Sequence, residues 1–369
     1  MATIGSTTAP SSNTVYLDSL LSTTLDGYVR GENLFDNVFK DSAFLAALRD
    51  MGAVQKQDGG ERIRAPIMYE GNSTIKSYTG EEVLDTTLQD GITTAFYEWK
   101  EIGGTIGITR KEERQNSGEA AIMSLLQAKL KQAEMQMRET LNTQLLRGTV
   151  SGATFVPGNA AKDLHPLGYF LRKVNSTDPT IGGNVGNIAG ATYSWWRHQT
   201  GRGDSGSLGT GNAFAVSIST YAGLKVAMRR LYNHCSKGSG GAPNLGVADQ
   251  VTFETYENSL DTQVRYTNTR MADMGFDNIK LRGATLIWDE VIPDLDNGTV
   301  AITEGTLFLM NTNFYKLIID SQTDIVTTPF VEPENQTVKT AKILFMGNAA
   351  VSNLRKHGLL YGISQSIAA

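Results

Sequence analysis

The chain contains one cysteine, Cys235. Without a second thiol no internal disulfide can form, and no CxxC pair exists to hold a metal. Packing and hydrogen bonds must carry the fold. Histidine is also sparse: His165, His198, His234 and His357 are all there are. No two of them stand at HExxH spacing, so no metal site and no cofactor is expected. His234 and Cys235 are neighbours, but adjacent helical residues point roughly 100° apart. They read as a helix-terminal imidazole and a core thiol. There is no GxSxG elbow and no Walker A loop. No apolar run is long enough for a membrane span or a signal peptide, and the first basic residue is Arg30. A chain kept in a cytoplasm, with no membrane partner, is the expectation. Net charge is slight, 33 Lys and Arg against 38 Asp and Glu, so the total does not mark a dedicated nucleic-acid binder. No repeat of solenoid or propeller period is present.

Three stretches suggest chemistry and fail the test of context. Gly201 to Gly206 matches GxGxxG, but a dinucleotide site needs a strand before it and a helix after it, and neither flank has that pattern. The same residues spell Arg202-Gly203-Asp204, an integrin tripeptide whose use needs an extracellular meeting. Asp294 opens an apparent calcium loop, but Thr299 stands at the sixth position and Gly305 at the twelfth, where glycine and glutamate are required. A turn between strands is expected there. The carboxylate pairs Glu81-Glu82 and Glu112-Glu113 read as solvated charge. No nucleophile, base and orienting group come together, so no enzyme is expected.

Residues 116–148 form the longest periodic segment of the 369. Ile122, Leu126, Leu130, Ala133, Met137, Leu141 and Leu145 recur at three and four, which predicts one amphipathic helix. Asn116 caps its start with Glu119 in capping-box position, Arg147 suits its C-terminal end, and Gly148 supplies the left-handed stop. Before it, residues 1–14 are small and polar and read as an arm. Leu17, Leu20, Leu21 and Leu25, then Phe35, Val38, Phe39, Leu45 and Leu48, predict two short helices. Residues 61–68 alternate as a half-buried strand, and 92–99 and 102–108 return as strands. Between them, 70–91 has few large apolar residues and carries Glu81, Glu82, Asp85 and Asp90 against a single base, Lys76. A hairpin this long is marginal alone. It must fold back or lie on a neighbour, and Arg110, Lys111 and Arg114 offer opposite charge on this chain or the next.

After the helix the pattern weakens. Nine of the thirty residues from 182 to 211 are glycine, which makes a loop-rich stretch. The cluster Tyr193-Ser194-Trp195-Trp196 lies within it. A helix capped by Ser219 or Thr220 follows, with Tyr221, Leu224, Met228, Leu231 and Cys235 on one stripe. A Gly/Ser loop over 237–246, a strand over 250–253 and a helix bearing Tyr256, Leu260 and Val264 come next. Segments 279–288 and 306–319 are strand-like, and 338–346 is a long strand.

This α+β layout resembles the major capsid proteins of tailed bacteriophages, with the Hong Kong ninety-seven type fold. The resemblance covers almost the whole chain. Its most specific pieces are Thr306-Leu-Phe-Leu-Met-Asn-Thr-Asn-Phe-Tyr-Lys-Leu, Pro329-Phe-Val-Glu-Pro-Glu-Asn-Gln and Ile343-Leu-Phe-Met-Gly-Asn. It implies an N-arm with short helices at 1–58, an E-loop with flanking strands at 59–115, and a P-domain spine helix with loops at 116–190. It further implies an A-domain at 191–335 and closing P-domain strands at 336–369. Lys76, Glu81, Glu82, Asp85, Arg110, Lys111 and Arg114 would then touch neighbouring subunits. In some members an E-loop lysine bonds covalently to a neighbour's asparagine; here Lys76 with Asn348 or Asn353 would take those places. The implied function is an icosahedral shell of hexamers and pentamers around double-stranded DNA in a virion, assembled in the host bacterial cytoplasm. The implied partners are other copies of the chain, a separate scaffold protein, a portal protein, a decoration protein and the packaged DNA on the inner face. An encapsulin-like compartment shell shares the fold. A sugar-binding β-rich module, using the Tyr193–Trp196 aromatics, is the reading from a different class.

Overall fold

The structure, a computed structural model, describes residues 42–115, 125–151, 154–172, 184–202, 213–215, 218, 220–260, 279–292, 304–334 and 337–364. The arm at 1–14, the helices expected before residue 42, the Asn116–Glu119 cap, Gly203 and Asp204, Val264, and the turn at 294–298 fall outside these residues.

In chain order the elements are α1 (Ala43–Asp50), β1 (Val54–Gln57), β2 (Ile63–Met68), β3 (Ile92–Tyr97), β4 (Lys100–Thr109), α2 (Arg110–Gln115) and α3 (Leu125–Leu146). Then come β5 (Thr149–Ser151), β6 (Thr154–Val156), α4 (Leu167–Phe170), β7 (Asn184–Val185), β8 (Ile188–Ala189), β9 (Gln199–Arg202), β10 (Ala213–Ala215), α5 (Tyr221–Ser236), β11 (Leu245–Ala248) and α6 (Gln250–Ser259). The chain closes with β12 (Ile279–Leu281), β13 (Ala284–Trp288), β14 (Glu304–Met310), β15 (Tyr315–Asp320), β16 (Val326–Thr327), β17 (Val338–Val351) and β18 (Gly358–Ser364). This is the α+β class expected.

The chain divides into two units. Of the described residues, 103–115, 125–139, 325–334 and 337–344 form the first. In it, β16 pairs antiparallel with β17 through Val326–Leu344 and Thr327–Ile343. Gly103 and Gly104 of β4 lie so close to β17 that a Cβ there would meet the side chains of Leu344 and Ile343 at 3.3 and 3.1 Å. Glu112, expected in solvent, is buried instead. Its carboxylate accepts from the Thr109 N–H at 2.9 Å and from Lys129 Nζ at 3.2 Å. Lys129 Nζ also donates to the Gly107 carbonyl. The correction has a physical cause: the partner lies on a different helix, seventeen residues along the chain.

The second unit holds a mixed seven-stranded sheet ordered β10-β9-β18-β14-β11-β13-β12. Thr220 caps α5 by accepting from the Gly223 N–H at 3.2 Å. The α5 stripe then buries Leu224, Met228, Leu231 and Cys235, with Phe253 and Tyr256 of α6, against Leu286, Leu307, Leu309 and Leu360 of the sheet. Each such side chain contributes roughly 1.5–3 kcal/mol of apolar transfer. Residues 250–253 are the start of α6, not a strand. Asp249 is buried and caps this helix by accepting from the Thr252 N–H. The neighbouring strand is β11, whose first two residues, Leu245 and Gly246, the sequence placed at the end of a loop.

Within this unit the second half of β17 pairs with β15 through residues 347–351, and β15 runs parallel to β1. β18 instead enters the seven-stranded sheet between β9 and β14. The link between β17 and β18 carries Lys356, whose ammonium is buried. It donates to the carbonyls of Lys237, Gly238 and Gly241, each at 3.1 Å.

The C-terminal part of the spine helix, α3, buries Met137, Leu141 and Leu145 as the stripe predicts. Gly148 follows it at φ +61°, the left-handed stop. A second left-handed turn comes at Asn159, Ala160 and Ala161, with φ of 49°, 55° and 65°. Lys100 Nζ donates to the Ala161 carbonyl at 2.6 Å.

Candidate intersubunit surface

The second unit includes a paired stalk and an unpaired, exposed tip. The stalk is β2 and β3, antiparallel from Ile63–Tyr97 to Met68–Ile92. Ile63, Ile67, Ala95 and Tyr97 are buried on one side of it. Tyr97 is anchored by its hydroxyl, which donates to the Val351 carbonyl at 2.7 Å. Burial pushes that phenol's pKa up, so it stays a donor. The ladder is six residues per strand, shorter than the sequence suggested. It ends in two Tyr69 bonds, N–H to the Gly91 carbonyl at 3.0 Å and hydroxyl to the Asp90 carbonyl at 2.6 Å.

Beyond Tyr69 no regular strand forms until Ile92. Ser73 Oγ donates to Gln89 Oε1 across the two limbs at 2.9 Å. Local turns do the rest: Asn72 accepts from the Thr74 N–H, Asp85 from the Thr87 N–H, and Thr79 from the Glu82 N–H. The bonds from Thr87 hold the Asp85 carboxyl below the usual range.

The apolar side chains of this tip are exposed. Ile75 is 81%, Val83 88% and Leu88 97% accessible, with Tyr78, Leu84, Met68 and Ile92 also exposed. Scattered exposed apolar residues are ordinary, but five on the tip, with Met68 and Ile92 at the end of the stalk, make a candidate contact surface. The sequence reading missed this surface because it counted the tip as polar. Among the described residues, Glu81, Glu82 and Asp85 form no ion pair, and Lys76 is exposed.

The root of the arm is braced by the aromatic cluster. Tyr69 stacks on Trp195 with centroids 5.0 Å apart. Trp195 meets Tyr193 and Trp196 at 5.7 and 5.8 Å. Trp196 is buried and donates Nε1–H to the Val185 carbonyl at 3.0 Å. Gly186, in the β7–β8 turn, sits so close to Ala95 and Tyr97 that a Cβ there would meet Ala95 at 2.7 Å. Trp99 donates Nε1–H to the Gly60 carbonyl at 2.8 Å. These rings are occupied in holding the arm.

The remaining candidates fall in separate places. Arg110, Lys111 and Arg114 lie on α2, all exposed. Asn348 is fully buried. Its amide donates to the Glu98 carbonyl at 2.8 Å and lies 2.9 Å from His165 Nδ1, while its oxygen accepts from the His165 and Ala349 N–H groups. It braces the core and presents no surface amide. Asn353 is half-buried and caps the turn at 354–356 by accepting from the Arg355 N–H. Among the described residues no cluster of three or more metal-ligating side chains exists, and no helix is long and apolar enough to cross a membrane.

No family model matches the sequence. No curated relative matches it either. Solved structures do match in fold. The capsid asymmetric unit of cyanophage A-1(L) superposes over 90% of this chain and 95% of its own, at a TM-score of 0.61 and 14% identity. The SrpI encapsulin of Synechococcus elongatus covers 92% and 95%, at 0.51 and 10%. The capsid of the myovirus XM1 covers 90% and 95%, at 0.50 and 12%. The chain has the Hong Kong ninety-seven type capsid fold.

Proposed function

We propose that this chain is the major capsid protein of a tailed bacteriophage, assembling as hexamers and pentamers into the shell that encloses double-stranded DNA. One observation carries the reading: a tip on which, among the described residues, the apolar side chains Ile75, Val83 and Leu88 are left almost wholly exposed. Burying those side chains on a neighbour supplies the association energy that an isolated arm lacks. The fold supports the reading, since it recurs in phage capsids. The chain then works by assembly and performs no catalytic step. Its virion location, host-cytoplasm assembly, separate scaffold, portal and decoration partners belong to the same proposal.

The acids Glu81, Glu82 and Asp85 are assigned to the basic α2 of an adjacent copy, at Arg110, Lys111 and Arg114. Lys76 is on the same tip and is exposed. With Asn348 buried, Asn353 is the amide left for any covalent link to Lys76. A denaturing gel of intact shells tests that link, and single-chain bands alone would exclude it.

The main test is electron microscopy of the full chain after size exclusion. Wild type should give shells, tubes or capsomer rings. Val83→Asp with Leu88→Asp should give none while keeping the circular dichroism and melting point of wild type. Equal assembly by that variant would refute the role of the tip. The second reading, a compartment shell, has the encapsulin similarity in its favour. The contents of the particles separate the two, nucleic acid for a virus and cargo protein for a compartment.

A further inference from the structure

From Ser205 to Ala248 the sequence holds no aspartate or glutamate, in a chain that has 38 of them. The described heart of this stretch is α5. Its buried stripe faces the sheet, so its other side faces out. That side carries Lys225 and Arg229 one turn apart, with Arg230 alongside and Lys237 just past the end, all exposed. The β12–β13 hairpin extends the row with exposed Lys280 and Arg282. Arg282 is fixed in place: its guanidinium lies 5.8 Å from the Tyr232 ring centre and donates Nη1–H to Asn233 Oδ1 at 2.7 Å.

None of these six cations has a carboxylate partner among the described residues. Glu254 and Glu257 on the adjacent α6 form no ion pair with them. Burial first, then the charges of Lys237 and Arg230, push His234 below its usual pKa.

We infer that this face of α5, with Arg282, is a docking surface for the phosphates of double-stranded nucleic acid. Two observations favour phosphate over the acidic surface of a protein. Three of the six cations are arginines, whose planar forks suit phosphate oxygens. No exposed large apolar residue lies on α5. A protein interface would show an apolar core with a polar rim, whereas a nucleic-acid interface is charged and wet. The reading deepens the shell proposal by naming which surface meets the packaged DNA, and rests on it for the biological setting.

The test uses the full-length chain and a duplex of about 30 base pairs of random sequence, titrated at several salt concentrations. The Arg229→Gln/Arg230→Gln variant should bind roughly tenfold more weakly at moderate salt. The slope of log affinity against log salt should flatten by roughly 1.8, the loss expected for two phosphate contacts. Arg62→Gln/Arg64→Gln removes the same charge from the β2 stalk and should leave both quantities near wild type. Equal losses from both variants, or no duplex binding by wild type at low salt, would overturn the inference. So would an α5 variant that binds duplex normally but no longer forms particles; that outcome would hand the face to another copy of the chain. Particle formation by wild type reads the shell proposal separately, so the two can fail independently.

Discussion

Tyr69 and Trp195 stack with their planes 17° from parallel, at the point where the paired stalk gives way to the exposed tip. The pair ties the arm's root to the glycine-rich stretch that follows the spine helix.

Trp195→Ala removes that stack, worth about 1 kcal/mol beyond its area. Local opening of the arm should rise about fivefold, read as faster proteolytic cleavage within residues 69–91. Global melting should shift little. Unchanged cleavage would mean that the β2–β3 ladder alone sets the root.

In the first unit, the Glu112 carboxyl is pulled two ways. Burial raises its pKa, but the Thr109 N–H and Lys129 outweigh that and leave it lowered. Lys129→Met should cost about 2 kcal/mol by leaving a buried carboxylate without its cation. Pairing it with Glu112→Gln should recover part of the loss. Strict additivity in urea unfolding would show that the two residues do not interact.

Three buried imidazoles make the second unit sensitive to acid. Burial pushes His165 and His198 down to about 4 and His357 to about 3; the Lys100 charge assists at His165 and His198 assists at His357, while at His198 the bond to the Arg172 carbonyl opposes burial and the Arg172 charge lowers it by less. Between those values and the unfolded value of about 6.5, the unfolded chain binds more protons. Stability is therefore whole above about pH 6.5 and falls as pH drops towards 4. Each imidazole lowered to about 4 contributes on the order of 3 kcal/mol to the loss. Acid unfolding should release the second unit with proton uptake at these histidines. His198→Gln should shallow the pH dependence, and an unchanged slope would rule out a neutral buried His198.

The turn at Asn159–Ala161 places alanine where glycine is the natural resident. Left-handed backbone costs an L-residue roughly 1–2 kcal/mol, partly offset by glycine's greater unfolded entropy. Ala160→Gly and Ala161→Gly should each stabilise by about 0.5–1 kcal/mol, seen as a higher urea midpoint at constant slope. Destabilisation would show that the methyl groups pack usefully.

The stripes that were readable in the sequence were those with enough turns to average over. Met137, Leu141 and Leu145 on α3, and Leu224, Met228, Leu231 and Cys235 on α5, are buried as their spacing predicts. β11 was not readable: all four of its residues are buried, so it has no alternation. Val251 and Phe253 then drew the strand five residues too late, into a helix announced only by the cap at Asp249. Glu112 was misplaced because its partner is distant in sequence. The apolar surface of the tip was hidden for another reason. Ile75, Val83 and Leu88 have no shared period, and residue type says what is apolar without saying what is left uncovered.

Lys356 spends its three protons on carbonyls inside the fold, out of reach of solvent. An amine-reactive label applied to the intact chain should therefore skip it, while Lys76 and Lys111 react. As copies come together, reactivity at those two sites should drop and Lys356 should stay silent throughout. One buried ammonium thus provides an internal zero for footprinting, against which the closing of each contact can be timed.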